Sequence, residues 1–407
     1  MAIAASPLES AFPASVDARR PFFIVLIFLL VFAQGIRLGG ATGVPIPSAL
    51  LFGILYLAIF NPRVLRGALP VYSIVFAYLL LTSARNALEP TGNIKDFLYV
   101  GLAITSFVLT VGMEDAIEGM SPRSIGGILF TFFVAEVGLQ VAEYMNPFDL
   151  NRLLSPLLSY WNSIGNAEYL TQGLFSERTP GSFGSPTVAG FSCYLLIRSV
   201  AILLGRRWMI YLAIIPLVIG GARSASAIFL IWEALLPMLS PRYRRVGFYA
   251  LLGLLAGAAA VVYFAPSVLR TFFLFQSFMQ TPALNELLGS RSVVARLTGL
   301  DWALDRPVSQ WVFGGMTATE IAARSVNAFS FDSEFLLRSM QYGVIGYGCM
   351  VVMNVWTGFD PKNWDWWFVL FVVLLGAVTN SIATSVIIFP FVILYSLCLR
   401  RASAYAL

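Results

Sequence analysis

Four polar segments carry the side chains of this chain that are equipped for chemistry. Arg178-Thr-Pro-Gly-Ser-Phe-Gly-Ser-Pro-Thr187 sets an arginine ahead of Pro180, Gly181 and Gly184, which suit a tight turn. Pro186 then suits the first position of a helix, whose unpaired N-terminal amides favour an anion. The plainer reading is a loop joining a helix, with one exposed arginine. Gly220-Gly-Ala-Arg-Ser-Ala-Ser226 is a polar break between two apolar runs. Arg223 beside hydrocarbon is costly unless it is paired or wet, and snorkelling to lipid phosphates is its alternative role. Gly289-Ser-Arg-Ser-Val-Val-Ala-Arg296 carries Arg291 and Arg296. Their guanidinium forks match phosphate oxygens, although such residues also pair with neighbouring carboxylates. Asn327-Ala-Phe-Ser-Phe-Asp-Ser-Glu-Phe-Leu336 offers Asp332 and Glu334 as general bases, or else Asp332 or Ser333 as the cap of the helix that follows.

The residue types narrow the chemistry further. Histidine is absent, so a Ser-His dyad, an imidazole base and a histidine zinc site are excluded, and acid–base work falls to Asp, Glu, Lys, Tyr or Cys. No phosphate-binding G-x-x-x-x-G-K-[ST] occurs, and no D-x-D pair is present to hold a divalent metal on a nucleotide sugar. We expect no cofactor and no metal. Cys193, Cys349 and Cys398 all fall in apolar runs and read as packing residues.

The elements that must position these segments are apolar. Of 407 residues, 58% are hydrophobic and 12% charged, against about a quarter charged in a soluble domain. Apolar runs lie at about 22–37, 48–60, 69–83, 96–113, 124–142, 186–204, 208–221, 225–239, 246–264, 336–357, 364–380 and 383–399. At about 20 residues per span, the expected fold is an all-α polytopic membrane protein of about 12 transmembrane helices, a single integral membrane domain over 1–407. Residues 1–20, ending in Arg19-Arg20, read as the head of an uncleaved anchor.

Loop charge gives an orientation. With the N-terminus inside, the inner loops hold Arg19, Arg20, Arg63, Arg66, Arg123, Arg206, Arg207, Arg242, Arg244, Arg245, Lys362, Arg400 and Arg401, whereas the short outer segments hold Arg37, Arg85, Lys95 and Arg223. Positive residues favour the cytoplasm, so both termini are expected there and two long loops, 143–185 and 265–335, outside. The net charge of +5 is accounted for by this bias, and no nucleic-acid partner is inferred. Within the membrane, Glu136, Glu143, Glu233, Asn354 and Asn380 need protein or water around them. Glu136 and Glu233 would suit the proton path of a transporter, and Glu143 lies near the outer end.

In order and topology the chain resembles the O-antigen polymerase and ligase superfamily of membrane glycosyltransferases, the Wzy-like and WaaL-like proteins. The resemblance lies in Arg178, Gly181, Phe183 and Pro186 leading into a helix, in Arg223-Ser224 after a span, and in a long outer loop. That loop passes Gly314-Gly315 and ends in a helix with Tyr342, Gly343 and Gly346. It covers about 170–347. Asp332 stands where ligases of the superfamily carry histidine and some polymerases carry aspartate. The resemblance implies a GT-C-like enzyme of the bacterial inner membrane acting at the periplasmic face on undecaprenyl-pyrophosphate-linked oligosaccharide, without a metal.

On that basis the expected function is polymerisation of O-antigen, capsule or exopolysaccharide repeat units. Arg178, Arg223, Arg291 and Arg296 would hold the pyrophosphate, and Asp332 or Glu334 would deprotonate the acceptor hydroxyl. Trp161, Tyr169, Phe329 and Phe331 would offer sugars a stacking surface, or anchor the interface. A chain-length regulator and a flippase are the expected partners, with membrane lipids around the protein. The alternatives are a ligase that transfers glycan to lipid A core or protein, and a lipid-linked oligosaccharide flippase.

Overall fold

A computed structural model describes residues 16–32, 36–38, 44–46, 49, 52–55, 65–145, 181–183, 186–220, 222–239, 305–321, 334–356, 363–379 and 388–406. The described residues are mostly helical. In chain order the helices are α1 (Val16–Phe32), α2 (Leu65–Leu88), α3 (Leu98–Glu118), α4 (Pro122–Met145), α5 (Pro186–Leu204), α6 (Ile214–Ile219) and α7 (Arg223–Phe229). After them come α8 (Leu236–Leu239), α9 (Val308–Phe313), α10 (Glu334–Trp356), α11 (Trp364–Thr379) and α12 (Ile388–Ala406). Three-residue strands β1 (Ile36–Leu38) and β2 (Val44–Ile46) form an antiparallel ribbon that pairs Ile36 with Ile46 and Leu38 with Val44. Apart from this small ribbon the described residues form helices, as the expected all-α fold requires.

Helix starts follow local chemistry. Pro122 opens α4 and needs no hydrogen bond for its nitrogen, while Ser121 just before it accepts from the Ser124 amide at 3.2 Å. Pro186 opens α5 as the sequence indicates. A π-helical turn, Leu230–Leu235, joins α7 to α8 and carries Glu233.

Side-chain contacts between the helices define two ends of the bundle. Arg19 at the start of α1 meets Asp115 near the end of α3 at 3.4 Å. Arg400 near the end of α12 pairs with Glu114, and Arg401 donates to the Glu118 carbonyl at 2.6 Å. We call this the basal end. At the other, apical end, α1, α2 and α4 finish and α3, α5, α7, α10 and α12 begin. Central to the bundle are α5 and α12, where 189–201 and 388–399 are almost wholly buried. They pack on each other, α5 also on α4, and α12 also on α3.

The outward faces are unusual. On α2, Ile74, Leu81 and Leu88 are 72%, 72% and 86% exposed, while Ser83 and Asn86 are fully buried. On α4, Val134, Val141 and Met145 are exposed, while Glu136, Gln140 and Glu143 are buried. Among the described residues α4 alone is long and apolar enough to cross a membrane by length and composition; 188–204, 207–219, 225–235 and 364–373 are shorter apolar helices. Helix α4 runs to Met145 and α10 starts at Glu334; of the two stretches 143–185 and 265–335, residues 146–180, 265–304 and 322–333 lie outside the described residues. The second contains α9. The run 246–264 lies outside the described residues.

Candidate functional site

Two polar assemblies occupy the apical end. The first anchors the segment that begins at Arg178. Gly181–Phe183 forms a single 3-10 turn that sits on Glu136 of α4. The Ser182 amide donates to both carboxylate oxygens of Glu136 at 3.2 and 3.3 Å, and its hydroxyl lies 2.6 Å from Glu136 Oε2 and from the Val31 carbonyl at the end of α1. Gln140 Nε2 donates to Glu136 Oε1 at 3.0 Å. Phe183 completes the plug by packing edge-on against Phe391 of α12. Glu136 is fully buried, and its oxygens are committed to holding this turn.

One turn into α5, Gly190 meets the start of α7. A Cβ at Gly190 would overlap that of Ala222 and come within 3.5 Å of Ala225 Cβ, so the two helices touch through small residues. The first turns of α5 and α7 are thereby brought side by side, with Arg223 the first residue of α7.

The second assembly joins the end of α2, the 3-10 turn Ile94–Phe97, the segment after α9 and the first half of α10. Asn86 Nδ2 donates to the carbonyls of Met316 and Gln341 at 3.2 and 3.0 Å, and its Oδ1 accepts from Arg85 Nη2 at 3.2 Å. Buried Asp96 accepts from the amides of Ala318 (2.7 Å) and Asn93 (2.9 Å), and its own carbonyl accepts from the Tyr342 hydroxyl at 2.7 Å. Thr317 and Glu320 form a reciprocal capping box, amide to side chain at 3.2 and 3.0 Å.

Glycine makes the closest approach possible. Gly343 has φ 76° inside α10, and a Cβ there would lie 2.5 Å from the Val312 carbonyl carbon and 2.7 Å from Phe313 Cα. Gly314, at φ 70°, faces the Gln341 carbonyl carbon, which a Cβ would approach to 2.6 Å. The Gly314-Gly315 and Tyr342-Gly343 motifs are thus two halves of one backbone joint.

Arg85 crowns this joint. Its Nη2 donates to the Phe313 carbonyl at 3.1 Å as well as to Asn86, and the side chain is exposed. A guanidinium fixed by two acceptors and open to solvent is prepared for an oxyanion. Asp96, by contrast, is enclosed and saturated, so it serves as a clamp. No group of three His, Cys, Asp or Glu side chains among the described residues is arranged to hold a metal ion.

Of the residues singled out from sequence, Arg178, Arg291, Arg296 and Asp332, with the aromatics Trp161, Tyr169, Phe329 and Phe331, lie outside the described residues. Glu334 is the first residue of α10. Cys193, Cys349 and Cys398 are free thiols.

Sequence reasoning passes over Arg85 except as a loop charge, and misses Asn86, Asp96 and Gln341 altogether. It also misses Arg198, whose signal is plain in hindsight: an arginine inside the apolar run 186–204 demands partners. Buried Arg198 pairs with Glu233 on the π-helical turn and with Asp365 at 2.6 Å, donates from Nε to the Tyr395 hydroxyl at 2.8 Å, and lies 3.7 Å over the Phe368 ring. Glu233 also accepts from Tyr194 at 2.8 Å. Both acids suited on paper to a proton path are therefore occupied, Glu136 by a turn and Glu233 by an arginine. Comparisons of the chain with protein-family models, with curated proteins and with solved structures return no match.

Proposed function

We propose that this chain is a polytopic inner-membrane glycosyltransferase that polymerises undecaprenyl-pyrophosphate-linked oligosaccharide repeat units at its apical, periplasmic end. The observation that carries the membrane half of this reading is the inverted polarity of α2 and α4. Apolar side chains face out and Ser83, Asn86, Glu136 and Gln140 face in. A helix against water has the opposite arrangement, and hydrocarbon as the solvent removes the contradiction. Orientation is supported by the basal clustering of Arg19, Arg20, Arg123, Arg206, Arg207, Arg400 and Arg401.

For the chemistry, the support is the convergence of motif segments on the apical end. In the reaction proposed, the acceptor sugar hydroxyl attacks the anomeric carbon of the donor chain with inversion. The bond from that carbon to the lipid pyrophosphate breaks, and the hydroxyl proton passes to Asp332 or, failing that, Glu334. Charge on the departing pyrophosphate is met by Arg178, Arg223, Arg291 and Arg296. Arg85 adds a cation of fixed orientation to the same end. The engagement of Glu136 and Glu233 in local contacts favours this reading over a proton-driven flippase.

The test uses purified protein in nanodiscs with a lipid-pyrophosphate oligosaccharide, EDTA and no nucleotide sugar. A ladder of products is expected, lost in Asp332→Asn and in Arg291→Ala. A single addition would indicate a ligase, and no product from a native substrate with folded protein would overturn the enzyme reading. Arg85→Gln is expected to raise KM for the donor about tenfold with kcat nearly unchanged, as loss of one charge-assisted contact would. An unchanged KM would remove Arg85 from the site.

A further inference from the structure

We infer that the basal end carries a binding site for the phosphate headgroup of an anionic phospholipid, in the groove between the start of α1 and the α3–α4 turn. This inference rests on the membrane reading and is independent of the polymerase chemistry. The groove is open to the surroundings and has a volume of about 670 Å³, with Arg20, Ile24 and Val25 on one wall and Gly119, Ser121 and Ser124 on the other. That volume lies in the range of small-ligand sites, about 300–1,000 Å³.

Its chemistry is graded along α1. At the basal rim stand Arg20 and the serine hydroxyls. Below them Ile24, Val25 and Phe28 are 38%, 39% and 48% exposed and continue the wall toward the middle of the helix. A phosphate at the rim with an acyl chain along the wall fits both halves, whereas a free phosphate would use only the rim.

The two neighbouring arginines are dealt with differently. Gly119 leaves room for Arg19, since a Cβ there would lie 2.8 Å from Arg19 Cδ and 2.9 Å from its Nη1. Arg19 therefore lies across the turn and is neutralised by Asp115 at 3.4 Å. Arg20 is exposed, as is Arg123 on the first turn of α4, and neither makes an ion pair among the described residues. Ser121 spends an acceptor on the Ser124 amide and keeps its hydroxyl hydrogen to donate. The positive end of the 24-residue α4 points at the same spot. Arg20 in the groove, the exposed Arg123 just outside its lining on the first turn of α4, the hydroxyl donors and an adjoining apolar wall at the arginine-rich end describe the headgroup region of an anionic leaflet.

The test uses the full chain in neutral detergent, with phosphatidylglycerol, phosphatidylcholine or inorganic phosphate added, read by native mass spectrometry and thermal unfolding. Phosphatidylglycerol is expected to be retained and to raise the unfolding temperature, while phosphatidylcholine and phosphate do neither. Arg20→Gln combined with Arg123→Gln should weaken phosphatidylglycerol binding about tenfold, and Ile24→Gln should weaken it too. Arg206→Gln, an exposed basal arginine off the groove, should bind as wild type. Equal binding by the double variant, or phosphate matching the lipid, would overturn the site. Protein that stays monodisperse without detergent or membranes would instead overturn the membrane reading, and that shows before any lipid is added.

Discussion

Arg198→Met is expected to destabilise the bundle by about 3–5 kcal/mol, the usual cost of stranding the partners of a buried charge. Arg198 is 2% exposed and ties α5 to α11, to α12 and to the π-helical turn through three bonds in three directions. Removing it leaves Glu233 and Asp365, each largely buried, with their main source of positive charge gone. Arg207, 3.5 Å from Asp365 but mostly exposed, is a weak substitute. Arg198→Lys retains charge but reaches only one or two of the partners, so its loss should be intermediate. The triple variant R198M/E233Q/D365N should recover most of the loss, because a buried cluster replaced as a whole is often neutral. Half-lives of the four proteins at one temperature in one detergent measure this. If R198M unfolds at the wild-type rate, the cluster does not hold these helices together.

Gly343→Ala is expected to cut the ladder synthesis proposed above without unfolding the bundle. The added methyl would press into the Val312–Phe313 backbone, and φ 76° strains any residue with a Cβ by about 1–3 kcal/mol. Backbone cannot swing aside as the tip of a long side chain can, so α9 and the Gly314–Thr317 segment must move off α10. Displacements of about 1 Å near a reaction centre cost on the order of 10²-fold in rate. Ladder synthesis is expected to fall by about that factor while thermal unfolding shifts little. Gly348→Ala, whose Cβ would meet nothing within 4 Å, is the matched control and should be active. Full activity in Gly343→Ala would separate this joint from the chemistry.

The helices that hydropathy delimits well are those whose ends leave the apolar environment. The run at 186–204 coincides with α5, and 364–380 covers all of α11. Where a helix continues into a polar protein environment, composition stops too early. Beyond the apolar run 69–83, α2 continues because Asn86 is buried against Met316 and Gln341, partners 230 and 255 residues away. Likewise α3 passes 113 because Glu114 and Asp115 meet Arg400 and Arg19. Such pairings depend on which distant segments become neighbours, and spacing along the chain does not carry that. The ribbon β1–β2 is a similar case, since its first strand overlaps the tail of the apolar run at 22–37.

At the site, glycines were the legible part. Gly314, Gly315 and Gly343 stand out in sequence, and all three have positive φ at the joint. Their partners Arg85, Asn86 and Asp96 look like ordinary loop-edge residues. The acid residues misled in the opposite direction: Glu136 in an apolar run suggests ion translocation, and only its contact with Ser182 reveals a fastener.

That fastener has a consequence for loop length. With Ser182 clasped to Glu136 and Val31, the segment from 146 to 180 departs from and returns to fixed points on the bundle. Doubling the length of a flexible loop between fixed ends costs only about 0.6 kcal/mol. A change in the number of residues between Met145 and Gly181 therefore leaves both fixed points, and the helices that carry them, where they are.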